Sequence, residues 1–132
     1  MNLTNMKIGF AMCGSFCTFS KTITALKEIA AAGAEIFPIM SETAAATDTR
    51  FGKADDFKAQ LKEITGKEVI ETIKAAEPIG PKKYLDLLIV LPCTGNTLAK
   101  AAAGIADSAV TMAIKAHLRN SRPVLIGIST ND

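Results

Sequence analysis

The sequence predicts an α/β domain in which helices cover both faces of a mostly parallel β-sheet. Residues 87–91 form an unbroken apolar run, Leu-Leu-Ile-Val-Leu, which is typical of a strand buried on both faces of a parallel sheet. Residues 7–40 follow the order strand, helix, strand, and a unit of this kind joins two parallel strands. Together these patterns predict the three-layer α/β/α arrangement of flavodoxin-like and Rossmann-like proteins.

The elements of the first third are the clearest. Residues 7–12 predict the first strand. A helix follows as far as about Ala32, with Thr18 or Ser20 as its N-cap, because apolar residues recur along one face. Gly33 is placed to end that helix. The pattern therefore indicates a βαβ unit whose strands end at the same edge of the sheet.

The second strand, residues 34–40, leads into a polar region. Pro38 indicates an edge strand or irregular pairing, because proline has no N–H to donate. Residues 43–52 are small and polar and predict a loop. Residues 53–65 predict an amphipathic helix, which Gly66 ends.

The second half is organised around the apolar strand. Residues 69–76 predict a helical piece and residues 77–81 a rigid connector into the strand. Pro92 is expected to end the strand, since it has no N–H for the ladder. The remaining predicted elements are a helix over 98–103, a helix from Asp107 or Ser108 to about Asn120, and a buried strand over 123–128.

Composition limits the possible function classes. The 132 residues are 48% apolar and 21% charged, which predicts one soluble globular domain over residues 1–132, with no membrane span. A net charge of +2 does not favour nucleic-acid binding. Three cysteines and one histidine, without a Cys-x-x-Cys pair, favour reduced thiols in a cytoplasmic protein and no metal site. Because Asp132 follows a predicted strand with no closing helix, we expect a C-terminal segment to be lacking.

Small polar residues follow three of the predicted strands. They are Gly14-Ser15, Ser41 and the run from Cys93 to Thr97. Ligands bind at this edge of an open parallel sheet, and a helix N-terminus adds free N–H groups. Asn96 is the best single candidate, because a carboxamide both donates and accepts; the alternative is a turn or cap residue. A G-x-G-x-x-G dinucleotide fingerprint is not in the sequence.

A longer motif covers the third of these loops. Residues 92–100 (Pro-Cys-Thr-Gly-Asn-Thr-Leu-Ala-Lys), followed by residues 104–107 (Gly-Ile-Ala-Asp), resemble the P-A-S-A-N-T-I-A-K … G-I-A-D signature of the flavoprotein superfamily that contains the cysteine decarboxylases. The match is long and ungapped. The resemblance implies FMN as cofactor. The cofactor-binding residues that it implies are Gly14, Ser15, Ser41, Cys93, Thr94, Gly95, Asn96 and Thr97.

Other runs resemble one branch of that superfamily, so that the resemblance covers nearly the whole chain. Members of the branch are the flavoprotein component of a two-component synthase that oxidises a cyclic dihydrodicarboxylate during sporulation. The resemblance thus implies one polypeptide of an oxidoreductase, a second polypeptide that binds a nicotinamide, a homo-oligomer and a small dicarboxylate substrate. Asn96 and Arg50 are the substrate-binding candidates, and no catalytic residue is assigned. The runs are residues 47–53, 77–82, 118–123 and 127–132.

Two departures separate this chain from the cysteine decarboxylases. Pro78 falls where they carry a histidine, and their P-x-M-N-x-x-M-W motif is not in this sequence. An FMN-dependent decarboxylase is therefore the second interpretation, and a non-catalytic flavin-binding assembly protein is the third. His117 is expected on the surface of the late helix. Cys13 and Cys93 follow strands at the same edge, where the favoured role is that of small buried side chains.

Overall fold

The computed structural model describes residues 1–130 as a four-stranded parallel sheet between two layers of helices, which confirms the predicted α/β/α fold. The strands are β1 (Lys7–Met12), β2 (Glu35–Met40), β3 (Leu87–Cys93) and β4 (Val124–Ile128), in the spatial order β2-β1-β3-β4. The helices are α1 (Phe19–Ala31), α2 (Glu42–Ala46), α3 (Ala54–Thr65), α4 (Ile73–Ala76), α5 (Ile79–Lys82), α6 (Gly95–Ala103) and α7 (Ala109–Arg119), with a short 3-10 helix (Phe16–Thr18) before α1.

The two faces of β1 pack against different helices. Phe10 and Met12 belong to one core cluster, with residues of α1, α2 and α3. Ala11 and Cys13 belong to a second cluster, with residues of α4, α5 and α7. Because successive side chains of a strand point to opposite faces, β1 is buried on both sides and divides the core in two.

The predicted βαβ unit is confirmed. β1 pairs in parallel with β2 on one side and with β3 on the other. Thr18 is the N-cap residue of α1, but its hydroxyl donates to the carbonyl of Ser15 at 2.8 Å and does not cap the helix. Gly33 has a φ of +100°, a backbone conformation that glycine adopts without strain.

Pro38 lies in an edge strand, as predicted, and a short extended segment covers that edge. Ile70 donates its N–H to the Pro38 carbonyl at 2.8 Å, and Met40 donates its N–H to the Ile70 carbonyl at 2.9 Å. The carbonyl of Pro38 thus faces outward, so its missing N–H costs β1 no hydrogen bond. The predicted helix over 69–76 is wrong for its first half, because Ile70 extends the sheet and α4 begins only at Ile73.

The polar stretch at 43–52 is not a loop throughout. Its first residues belong to α2, where the Ser41 hydroxyl accepts the N–H of Ala44 at 3.1 Å. Ala44 and Ala45 are buried against the sheet, and alanine has the highest helix propensity. The capping hydrogen bond of Ser41 and the burial of the two alanines therefore stabilise a helix, although the composition of the stretch is typical of a loop. The remainder is a turn that two hydrogen bonds between Thr49 and Gly52 close.

Two expectations around β3 are also corrected. The connector predicted at residues 77–81 contains a helical turn that the sequence did not indicate: α5 begins at Ile79, which is completely buried. β3 does not end before Pro92 but continues to Cys93. The carbonyl of Pro92 accepts the N–H of Cys13 at 3.1 Å, so proline keeps the pairing through its oxygen although it has no N–H.

Within residues 1–130, β4 lies at the edge of the sheet and is not the buried strand that its apolar sequence predicts. Val124 and Ile126 pack against the α7 side of the core. Leu125 and Ile128 are outside this cluster and are 58% and 53% exposed. An apolar run therefore does not by itself distinguish a central strand from an edge strand.

The late helix, α7, has the predicted start but a different end. Ser108 is its N-cap, as expected. His117 is not on the surface: it is 1% exposed, and its Nε2 donates to the carbonyl of Pro123 at 3.0 Å. Burial, with a smaller contribution from the positive charge of Arg122, holds the pKa of His117 below its ordinary value. His117 therefore packs as a neutral core residue.

Some expectations concern residues outside the described range. The resemblance at Asn131 and Asp132, and the expectation that rests on the chain's end at Asp132, fall there. The assignment of residues 1–132 to one domain stays a prediction. Within residues 1–130, no helix is both long and apolar enough to cross a membrane.

Candidate cofactor-binding site

A cavity of about 330 Å³ lies at the carboxyl ends of β1, β2 and β3. Small-molecule sites in proteins typically measure about 300–1,000 Å³, so this cavity is of a size to take a ligand or part of one. Four chain segments form it: the turn after β1, the start of α2, the start of α6 and the loop into α7. The lining residues are Cys13, Gly14, Ser41, Glu42, Thr43, Thr94, Asn96, Thr97, Lys100, Asp107, Ser108 and Thr111.

Five of the predicted site residues line this cavity together. They come from three separate strand ends, as the predicted topology requires. The five are Gly14, Ser41, Thr94, Asn96 and Thr97. This convergence supports the predicted location of the site, while their role as cofactor ligands stays a prediction.

Three other predicted cofactor residues lie next to the cavity and not in its lining. The Ser15 hydroxyl is 3.0 Å from that of Ser129, which follows β4. Gly95 faces Thr130, whose Oγ1 lies 3.3 Å from where a Cβ at position 95 would be. Cys93 is completely buried at the end of β3. Their contacts to a cofactor stay predictions.

Arg50 lies apart from these residues. Its side chain is exposed, and its guanidinium carbon lies 4.9 Å above the centre of the Phe51 ring. In the described part of the chain Arg50 does not line the cavity, so the structure does not bring it together with Asn96. Its proposed contact with a substrate carboxylate stays a prediction.

The wall formed by β3 and α6 is a continuous stretch of chain. Thr94, and neither Asn96 nor Thr97, is the N-cap of α6: its hydroxyl oxygen accepts the N–H of Thr97 at 3.2 Å. The Thr97 hydroxyl in turn donates to the sulfur of Cys13 at 3.2 Å. The side chain of Asn96 is exposed on the cavity side of the first turn. The first N–H groups of a helix have no partner within it, so α6 presents backbone donors here.

The opposite wall joins α2 to α7. The carboxylate of Glu42, the first residue of α2, accepts the N–H of Ala109, the first residue of α7, at 2.8 Å. Ser108 and Thr111 form a reciprocal cap: the Ser108 hydroxyl accepts the Thr111 N–H at 3.1 Å, and the Thr111 hydroxyl accepts the Ser108 N–H at 2.9 Å. Glu42 therefore fixes the position of α7 at the cavity.

An ion pair between these two walls forms part of the lining of the cavity. The ammonium of Lys100 lies 3.0 and 3.2 Å from the two carboxylate oxygens of Asp107. No role in the site was predicted from the sequence for Lys100 or Asp107. Both residues lie in the 92–100 and 104–107 motif, which is the signal that pointed to them.

Other lining residues that were missed had weaker signals. Asp107 or Ser108 was expected to cap α7, and Ser108 does so, but the sequence did not place Ser108 or Thr111 at the cavity. Glu42 has no local pattern, because its partner Ala109 is 67 positions away. Thr43 appeared as part of a loop.

The electrostatics of the cavity are compatible with a ligand that carries a phosphate. Its two carboxylates are both engaged, Glu42 by a backbone N–H and Asp107 by Lys100. Hydroxyl groups and the N-terminus of α6 provide donors of the kind that bind phosphate. A hydrogen bond from Cys93 lowers the pKa of the Cys13 thiol to about 7, against the opposing effect of burial. The side chains present therefore fit the polar part of a flavin nucleotide.

A family model and one characterised sequence match nearly the whole chain. The family model described as Flavoprotein matches residues 1–131. The B subunit of dipicolinate synthase from Bacillus subtilis (strain 168) is 42% identical over 131 residues, which are 99% of this chain and 66% of that protein. The chain thus spans slightly less than two thirds of the length of this relative.

Solved structures show the same fold. The B subunit of dipicolinate synthase from Bacillus halodurans superposes with a TM-score of 0.87 at 39% identity, over 100% of this chain and 68% of that one. A dodecameric FMN-dependent UbiX-like decarboxylase from Escherichia coli O157:H7 has a TM-score of 0.75 at 22% identity, over 94% and 66% of the two chains. At that identity the second likeness concerns the fold alone.

Proposed function

This chain belongs to the Flavoprotein family, and from this premise we propose that its strand-end cavity binds FMN. The observation that carries the proposal is the convergence of Gly14, Ser41, Thr94, Asn96 and Thr97 on one cavity. The loops after β1 and β2 and the N-terminus of α6 supply hydroxyl and N–H donors for the phosphate. Ser15, Cys93 and Gly95 are adjacent and complete the predicted set.

We further propose that the chain is the flavoprotein component of a dipicolinate synthase. Its 42% identity to the B subunit of that enzyme from Bacillus subtilis supports this. The reaction removes two hydrogens from a cyclic dihydrodipicolinate-type precursor and forms dipicolinate during sporulation. A bound flavin supplies an acceptor for a hydride. The proposed partner is the A subunit of dipicolinate synthase, which binds a nicotinamide, and we expect a homo-oligomer of this chain in the cytoplasm.

The cavity contains a cation suited to a dicarboxylate. In the described residues, Lys100 is the cationic side chain of the lining, and its ammonium is partly exposed next to Asp107. An exposed ion pair contributes little stability, so Lys100 can exchange Asp107 for a substrate carboxylate at small cost. Asn96 lies one helical turn before Lys100 in α6, and its carboxamide can donate to the same carboxylate. These two residues carry the proposed substrate contact, with Arg50 as a further candidate.

FMN titration tests the cofactor proposal. We expect the fluorescence of FMN to be quenched saturably by the purified chain. In Thr43→Phe a larger side chain occupies the cavity and should abolish the quenching. The matched control is Thr24→Phe, at an exposed position of α1 far from the lining, which should bind as the wild type does. A folded wild-type chain without saturable binding would falsify the proposal.

Reconstitution tests the enzymatic role. The chain is mixed with the nicotinamide-binding partner of the synthase, the dihydrodipicolinate-type precursor and a nicotinamide cofactor, and dipicolinate is followed by its absorbance. We expect product only when both polypeptides are present. Full activity of either polypeptide alone contradicts the two-component proposal. Release of carbon dioxide from a cysteine-terminated peptide would instead favour the decarboxylase interpretation, and light scattering reports the oligomeric state.

A further inference from the structure

Two buried thiols lie side by side beneath the cavity. Cys13 directly follows β1 and is 1% exposed, and Cys93 ends β3 and is fully buried. Cys13 is one of the residues that line the cavity, and its sulfur accepts the hydroxyl hydrogen of Thr97, another lining residue. The third cysteine, Cys17, is exposed in the 3-10 helix that precedes α1.

An irregularity in β3 brings the two thiols together. In a regular strand, Val90 and Cys93 are three positions apart and point to opposite faces. The pairing of β3 with β4 shifts register between these two residues, and both side chains belong to the same core cluster as Cys13. The N–H of Cys13 donates to the carbonyl of Pro92 at 3.1 Å, so Cys13 lies next to the end of β3 that carries Cys93. Disulfides tolerate Cα separations of roughly 4.4–6.8 Å, a range that residues on neighbouring strands can reach.

The two thiols differ in acidity because of their surroundings. The Cys93 thiol has one hydrogen to donate and two acceptors near it. One is the sulfur of Cys13, and the other is the carbonyl oxygen of Thr94, which lies 3.5 Å from the Cys93 sulfur. Donation to Cys13 lowers the pKa of Cys13 to about 7, and the hydroxyl of Thr97 contributes in the same direction. The same contact and burial raise the pKa of Cys93. The Cys13 sulfur is thus partly ionised near neutral pH, with a protonated thiol beside it.

We propose that Cys13 and Cys93 form a redox-active dithiol site, which a hydroperoxide converts into an intramolecular disulfide at the floor of the cavity. The Cys13 sulfur attacks one peroxide oxygen, the O–O bond breaks, and the leaving hydroxide takes up a proton to give water and a sulfenic acid. The Cys93 sulfur then attacks the Cys13 sulfur, the S–O bond breaks, and a second water leaves. Two thiols are oxidised while one hydrogen peroxide is reduced to two waters.

Peptide mapping under non-reducing conditions tests this proposal. The purified full chain is reduced, exposed to hydrogen peroxide, alkylated and digested with trypsin. We expect peptides 8–21 and 84–100 to be joined, with the loss of two hydrogens, and to separate after treatment with dithiothreitol. Wild-type protein suffices for this measurement, so it does not depend on the folding of any variant. If the thiols are fully oxidised and no joined peptides are found, the proposal is overturned.

A set of variants identifies the linked residues, because peptide 8–21 contains both Cys13 and Cys17. Cys17→Ser is the control and should keep the cross-link, whereas Cys13→Ser should lose it completely. Cys93→Ala should stop at the sulfenic acid, which dimedone traps on Cys13. A cross-link that survives Cys13→Ser, or a loss of two hydrogens within peptide 8–21 alone, assigns the chemistry to Cys17 and overturns the proposal.

Discussion

The two walls of the cavity are built in different ways. The wall of β3 and α6 is one stretch of chain, in which Thr94 caps a helix whose first turn carries Asn96 and Thr97. The wall of α2 and α7 joins segments 67 positions apart through the contact of the Glu42 carboxylate with the Ala109 N–H. The first wall needs only a local hydrogen bond, whereas the second needs two helices already packed against the sheet.

This difference predicts different responses to mutation. Loss of a local cap weakens one helix and leaves the rest of the cavity in place. Loss of the long-range contact releases the start of α7 from α2 and leaves a helix N-terminus without its partner.

The largest effect is expected at the wall of α2 and α7, which depends on a long-range contact. Glu42→Ala removes a hydrogen bond to a charged acceptor and a favourable charge at the N-terminus of α7. We expect the free energy of unfolding to fall by about 1–2 kcal/mol, since such bonds contribute roughly 1.5–3 kcal/mol and this one is partly solvated. FMN binding should weaken as well. Chemical denaturation and FMN titration measure the two effects.

Two variants sharpen that result. Glu42→Gln keeps an oxygen that can accept the Ala109 N–H and should retain most of the stability. Glu63→Ala removes an exposed carboxylate from α3 and should change stability by no more than about 0.5 kcal/mol. If Glu42→Ala is as mild as Glu63→Ala, the contact between α2 and α7 does not stabilise the wall.

At the wall of β3 and α6, a change at Asn96 should weaken ligand binding and leave the stability of the fold unchanged. Asn96→Ala removes an exposed carboxamide that lines the cavity and does not cap α6. We expect the FMN dissociation constant to rise about tenfold, equivalent to about 1.4 kcal/mol, with an unchanged apo melting temperature. Gln60→Ala, at an exposed position of α3, is the amide control. A loss of apo stability with unchanged FMN affinity would instead make Asn96 a structural residue.

Thr94 should show the opposite balance. Thr94→Ala removes the N-cap of α6, which should cost about 1 kcal/mol of the free energy of unfolding. Thr94→Ser keeps the capping hydroxyl and should recover most of that loss. Urea denaturation of the three proteins checks the order. Equal stability of the alanine and serine variants would show that the hydroxyl does not act as a cap.

The smallest expected effect concerns the far end of α7. Burial holds the pKa of His117 below its ordinary value of 6.5, so the unfolded chain binds a proton at a higher pH than the folded chain does. The folded state should therefore lose stability as the pH falls below about 6.5, a loss that Arg122 increases and Asp86 opposes. Glutamine does not titrate, so the melting temperature of His117→Gln should fall less between pH 7 and pH 5 than that of the wild type. Identical pH slopes would contradict this, and a comparison at pH 8 isolates the packing effect.

The comparison of the walls also explains what sequence reasoning found. The start of α7 at Ser108 and the end of α1 before Gly33 were predicted correctly, because caps depend on residues within one helical turn. The five convergent cavity residues were found because strand ends of a parallel sheet share one edge. The helix predicted over 98–103 begins earlier, at Gly95 with Thr94 as its cap, because several residues of this loop can cap a helix and the sequence alone does not choose between them.

Other features were missed because their cause is distant in the chain. His117 is buried because α7 packs with α5 and β4 around it, and Ile70 is extended because Pro38 and Met40 offer it hydrogen bonds. The hydrogen bond between Glu42 and Ala109 likewise joins distant segments. None of these partners lies within the window over which helix or strand periodicity is read.

The amino-acid sequence by itself determined the layered α/β fold, most element boundaries, and the edge of the sheet where the site lies. Local propensity, capping and apolar periodicity carry that information, and each acts within a few residues. Packing between distant segments determines which of the predicted residues line the cavity and which lie beside it, that β4 is half exposed, and that Cys93 contacts Cys13. The physical reason is that hydrogen bonds and packing between distant segments form only after the sheet has set its register, so a register shift such as that after Val90 has no local signature.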